Sequence, residues 1–151
     1  MKKLRDLTLL AGRCLLMLIF VLGGSEKLMN PSLWMKIMAY QGVPLVHVAL
    51  TATILVELGC ALLVVFGFWA RAAAFIMFLW FIPVTVMFHV IPHEQALLHH
   101  QMLLAMQQRT NYLKNLAIMG GLLMFTVAGP GRFSIDGAWE GGATTPAQRA
   151  A

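Results

Sequence analysis

The sequence predicts an all-α, polytopic membrane protein, an antiparallel four-helix transmembrane bundle, on three observations. Of the 151 residues, 60% are hydrophobic and only 11% are charged, with a mean hydropathy of +0.77. A chain this short has too much surface for its volume to hide that much apolar matter in a water-soluble core. The apolar residues fall in four charge-poor runs, Leu7–Leu28, Leu45–Phe68, Ala70–Ile91 and Tyr112–Ala128. About 20 residues cross the hydrocarbon layer, so three runs span with ease and the fourth only just. The breaks between the runs carry the turn residues that separate helices.

The first run follows MKKLR and is too long, with no small-residue cleavage site ahead of a polar chain, for a removable leader; it reads as a span. Asn30-Pro31 then begins a turn, Leu33–Tyr40 forms a short interfacial helix with Trp34 and Tyr40 at the headgroup level, and Gly42-Val43-Pro44 ends it. The second and third spans are joined only by GFWAR, which makes them antiparallel neighbours. Pro92–Asn111 reads as a longer loop whose QALLHHQMLLAMQ rests on the membrane surface as a helix. The fourth span stops at Gly129-Pro130-Gly131. Residues 1–136 form the transmembrane domain on this reading, and 137–151 a loose polar tail.

The net charge of +5 does not point to nucleic acid, because the basic residues stand singly at helix ends and form no patch with interleaved aromatics. They set topology instead. Lys2, Lys3, Arg5, Arg71, Arg132 and Arg149 fall on one side and Lys27, Lys36, Arg109 and Lys114 on the other, which predicts cytoplasmic termini.

Glu57 is a lone carboxylate inside the second apolar run. An ionisable group at such depth costs several kcal/mol unless it faces the bundle interior with a partner, roughly 2.5–3.5 on the insertion scale. Counting inward at about 1.5 Å per residue puts Arg13 roughly 9 Å and Glu57 roughly 16 Å from the same face, so Arg13 is the expected partner and Arg71 the second candidate. Arg13, Glu57 and Arg71 are therefore expected to form a buried ion-pair network. The competing reading leaves Arg13 snorkelling and Glu57 as helix glue.

Toward the opposite face, Lys27 closes the first helix, His89 lies near the end of the third, and Lys114 with Asn115 opens the fourth. Together they predict a donor-rich pocket suited to an anion or to the carbonyl oxygens of a quinone. Cys14 and Cys60 fall at similar depth and can face one another, but no Cys-x-x-Cys is present. His89, His93, His99 and His100 with Met102 and Met106 resemble a soft metal set, yet Pro92 interrupts the geometry and His93-Glu94 lacks the second histidine of a zinc protease helix. A solvated polar loop is the preferred reading there, so no metal is expected, and no residue is identified as catalytic.

Gly12-Arg13, GGSEKL, Tyr40-Gln41-Gly42-Val43-Pro44, Glu57-Leu58-Gly59, Gly67 with Ala70-Arg71, His89, Lys114-Asn115-Leu116-Ala117, Gly120-Gly121-Leu122-Leu123 and GPGRFSID stand in an order that resembles the DoxX family of membrane proteins, over about Gly12–Asp136. The resemblance implies a four-helix protein of the bacterial inner membrane with a redox-associated role. It implies either quinone binding, as in the membrane subunit of an archaeal thiosulfate:quinone oxidoreductase, or anchoring of a soluble redox or sulfur-metabolism partner. No resident cofactor is expected beyond a quinone, since no haem-ligand pair lies within the spans. A small-anion carrier and a purely structural subunit are the alternatives, and homo-oligomerisation stays open.

Overall fold

The computed structural model describes residues 2–143, and among these every regular element is a helix. α1 (Lys2–Met29) is followed by the short α2 (Pro31–Tyr40), then α3 (Val46–Phe66), α4 (Ala70–Leu98), α5 (Met102–Ala128) and α6 (Ile135–Ala143). Three of them, α1, α3 and α4, are long and apolar enough to cross a membrane.

α1 packs on α3, α3 on α4, and α4 along α5, while α2 lies against the start of α3. The core they share is Met17 and Phe20 from α1, Ala61 and Val64 from α3, a run of Ala70, Ala73, Ala74 and Met77 from α4, and Leu122 and Phe125 from α5. Alanines at the contacts let backbones approach closely, which is how helices gain packing energy where lipid competes for every larger apolar group. The outer surface is apolar too: Leu15, Leu55, Phe66, Met124 and Val127 are all exposed. An oily exterior around a packed apolar interior is what a lipid-facing bundle requires.

The link between α3 and α4 is as tight as GFWAR predicts. Gly67 takes φ +71°, which lets its N–H reach the Val64 carbonyl and that of Phe68 reach Leu63, closing the last turn of α3. A β-carbon there would collide with Ser134 and sit 2.9 Å from Arg13 Nη1, so only glycine fits.

Elsewhere the structure departs from the expected outline. The stretch expected as a long loop with a surface helix is a hairpin: α4 runs on through Pro92 to Leu98, the chain turns at His99–Gln101, and α5 starts at Met102. His100 takes φ +56° at this turn, with the same pair of closing hydrogen bonds that Gly67 makes. No glycine marks the spot, which is why the turn was hidden in the sequence. Pro92 is tolerated because the preceding Val86–Val90 segment is a π-helical turn, whose altered ladder absorbs a missing N–H. α6 continues helical into the stretch read as a loose tail from residue 137; residues 144–151 of that tail lie outside those described.

Candidate functional site

Glu57 sits in another π-helical turn, Leu55–Cys60, and is buried. Its partner is Lys27, with Nζ 2.7 Å from Oε2 and the two side chains 12% and 8% exposed. The expected pairing with Arg13 is therefore overturned. A helical side chain leans toward the N-terminus of its own helix, so Lys27 folds back one turn, to 3.4 Å from the Gly23 carbonyl, and enters the bundle instead of snorkelling out. Gly23 and Gly24 make room for it. A β-carbon on Gly24 would lie 3.2 Å from Leu58 Cβ, and one on Gly23 would lie 3.7 Å from Glu57 Oε2, so α1 and α3 meet at this level with little between their backbones.

Arg13 is fourteen residues from Lys27 on the same helix, about 21 Å along the axis, and cannot reach the same carboxylate. It is buried at the other end, where Nη1 donates to the Pro130 carbonyl at 3.1 Å and Nη2 to that of Phe133 at 2.7 Å. Arg71 stands near it but is exposed, its guanidinium over Gly129. The three members of the expected network are thus divided between two ends of the molecule.

The GPGRFSID segment, whose order carried the resemblance without a stated reason, has one here. Besides holding Arg13, it supplies Asp136, whose carboxylate accepts the N–H of Trp69 at 2.9 Å and of Ala70 at 3.0 Å and so caps the N-terminus of α4 from a distant part of the chain.

The donor-rich layer does come together. Lys27, His89, Lys114 and Asn115 all line one cavity of about 220 Å3, with Glu57 beside them and Phe20, Phe81 and Phe88 among its apolar walls. Five helices contribute: α1 gives Lys27, α2 gives Trp34 and Met38, the π-helical turn of α3 gives Glu57, that of α4 gives His89, and α5 gives Lys114 and Asn115. Both irregular turns thus carry a cavity residue, in keeping with the tendency of π-bulges to sit at functional sites.

Each polar group has a support. Asn115 donates to the Thr85 hydroxyl at 3.2 Å, and Thr85 donates in turn to the Phe81 carbonyl. His89 Nδ1 is 2.9 Å from Gln108 Oε1, which fixes the ring and leaves Nε2 for another partner. Lys27 Nζ also stands 4.5 Å from the centre of the Trp34 ring. Lys114 is exposed and touches only Asn111, at 3.4 Å.

Sequence reasoning missed Trp34, Gln108 and Thr85. Trp34, expected as a headgroup anchor, stands seven residues beyond Lys27 across the Asn30-Pro31 corner and is folded back over α1. Gln108 was assigned to a loop that turns out to be helix.

The remaining candidates do not assemble into sites. Cys14 is on the exposed face of α1 and Cys60 is half-buried against the core, both as free thiols. His93 Nδ1 lies 2.8 Å from the Ala105 carbonyl and its ring meets Tyr112 edge to face, tying the hairpin together. Among the described residues no group of three or more histidine, cysteine or acidic side chains gathers in a way that would hold a metal ion.

Comparison with known proteins adds the lineage. The family model described as DoxX matches residues 8–90. The chain is 32% identical over 136 residues to the inner membrane protein YqjF of Escherichia coli strain K12, covering 90% of this chain and 95% of that relative. It is 30% identical over 132 residues to the inner membrane protein YphA of the same organism, covering 87% and 90% respectively. No solved structure matches the chain.

Proposed function

We propose that this chain, which belongs to the DoxX family, binds the carbonyl-bearing head of a quinone in the cavity between Lys27, His89, Lys114 and Asn115. The observation that carries this reading is the convergence, from three separate helices, of the donors Lys27, Lys114 and Asn115 with the His89 ring, whose Nε2 accepts while Nδ1–H is held by Gln108, on a space whose remaining walls are largely aromatic and aliphatic. Quinone heads need that combination: two oxygens that accept hydrogen bonds and a flat apolar ring. A cavity of about 220 Å3 suits the head alone, leaving an isoprenoid tail to lie along the lipid-facing surface.

In this proposal α5 is the fourth crossing, its polar first half lining the cavity and its apolar second half completing a four-helix bundle. The protein then lies in the bacterial inner membrane, as its named relatives do, with both termini in the cytoplasm. Its role is redox-associated, either through the quinone itself or by anchoring a soluble partner that uses one. The anion-carrier alternative is weakened by the ion pair, because Glu57 neutralises the more enclosed of the two lysines.

Lys114→Met is the clean test, since Lys114 is exposed and its one polar contact is with a neighbour on its own helix. In lipid nanodiscs, binding of a short-chain quinone should weaken about tenfold, the loss of roughly one hydrogen bond to a charged group, while the melting temperature stays put. Unchanged binding in this variant refutes the reading, and equal loss of binding and stability assigns the lysine to the fold.

A further inference from the structure

The end of the molecule opposite the quinone cavity holds a second and wider hollow, of about 680 Å3, between the start of α4, the end of α5 and the start of α6. Three arginines line it from three separate segments: Arg5 of α1, Arg71 in the first turn of α4, and Arg132 in the loop after α5. All three are exposed, and among the described residues none of them forms an ion pair.

Among the described residues one acid shares the lining, Asp136, and both of its oxygens are taken by the Trp69 and Ala70 N–H groups. Asp6 is close by but buried, 3.9 Å from where a β-carbon on Gly131 would stand, and it is not part of the wall. Its described lining therefore presents three cations against one committed carboxylate. The Arg71 guanidinium lies over Gly129, with Nε and Nη2 2.8 Å from where a β-carbon on Gly129 would be. The N-terminus of α4 opens into the same space, and its Arg71 and Ala72 N–H groups are among the donors that a helix start leaves unpaired within the helix. Trp69 and Trp139 flank the hollow and are 66% and 63% exposed.

We propose that this hollow is a binding site for the phosphate group of an anionic phospholipid. Guanidinium forks match phosphate oxygens two at a time, and a basic pocket between membrane helices at their ends is where charged headgroups are recognised. The level fits: an apolar helix starts here at Ala70 and another ends at Ala128, and the two tryptophans suit the boundary between headgroups and acyl chains. Inorganic phosphate shares the charge but has no acyl chain to lie against those rings.

The delipidated full chain would be titrated with phosphatidylglycerol and with phosphatidylcholine, and retained lipid counted by native mass spectrometry. Inorganic phosphate would be titrated into the same protein by calorimetry. Phosphatidylglycerol should be retained in preference to phosphatidylcholine, and the R5Q/R132Q double variant should lose affinity about 25-fold, near fivefold for each arginine removed. That variant leaves the packing of Arg71 on Gly129 intact, and the lipid preference of the unaltered protein needs no variant at all. Equal retention of the two lipids overturns the proposal. So does unchanged retention in R5Q/R132Q, or arginine-dependent binding of inorganic phosphate without retention of lipid.

Discussion

The two ends of this molecule satisfy buried charge in opposite ways. At one end Lys27 meets a countercharge, Glu57, across the close approach of α1 and α3. At the other Arg13 meets no acid among the described residues and instead donates to two backbone carbonyls of the Gly129–Ser134 loop. A paired charge holds two helices together and leaves other donors nearby free to face a ligand. A charge that donates to carbonyls staples a loop, here with one N–H from each terminal nitrogen while the buried Nε has no partner. The difference explains why the smaller cavity, with its apolar walls, sits beside the ion pair, while Arg13 serves the docking of the C-terminal segment under Gly67 and α4.

Breaking the ion pair should have the largest effect. Glu57→Leu leaves the Lys27 ammonium buried without its carboxylate, a loss of about 3–5 kcal/mol, which chemical unfolding in detergent would register. Lys27→Met combined with Glu57→Leu should recover most of it. If the double variant is as unstable as the single one, the pair is not what holds α1 to α3.

Arg13→Met should come next, at about 2–3 kcal/mol, because it strands two carbonyls that accept from a charged donor. Hydrogen exchange would distinguish the two ends: protection should fall in residues 129–138 and stay unchanged around Lys27. Loss of protection at both ends would mean that they are coupled.

Gly24→Val sharpens the contrast by steric means. Its new atoms press on the Leu58 backbone, so a cost of about 1–3 kcal/mol is expected. Gly12→Ala, with nothing within 4 Å of the added carbon, should stabilise α1 by up to about 1 kcal/mol. A thermal melt of each would show opposite signs, and equal signs would contradict the close approach at Gly24.

The smallest effect is expected for Asn115→Leu, about 0.6 kcal/mol, the mean for hydrogen bonds between membrane helices. Thr85 keeps its bond to Phe81 in that variant. A much larger loss of stability would make Asn115 a fold residue and remove it from the proposed donor set.

The convergence of Lys27, His89, Lys114 and Asn115 was legible because helix ends in an antiparallel bundle must gather at one of two levels. The partner of Glu57 was not, although its burial was. Depth counted along helix axes ranks residues by backbone position, whereas a lysine can bring its charge a full turn deeper and an arginine can be claimed by carbonyls from a remote loop. Metals and thiols were legible only as composition: His93 and Cys60 are drawn into packing by neighbours that linear order does not name.

Hydropathy and the short GFWAR link determined that this chain is helical, where α1 and α3 run, and that α3 and α4 turn back on each other, since those features depend on the local cost of backbone polar groups in lipid and on the length of the connection. Only the tertiary structure decided which charges meet, that α4 and α5 extend into a hairpin at His99–Gln101, and that GPGRFSID locks Arg13 and caps α4. Those outcomes rest on side-chain direction, on π-helical turns that rotate one face against the next, and on contacts between residues more than sixty positions apart, none of which a one-dimensional pattern encodes.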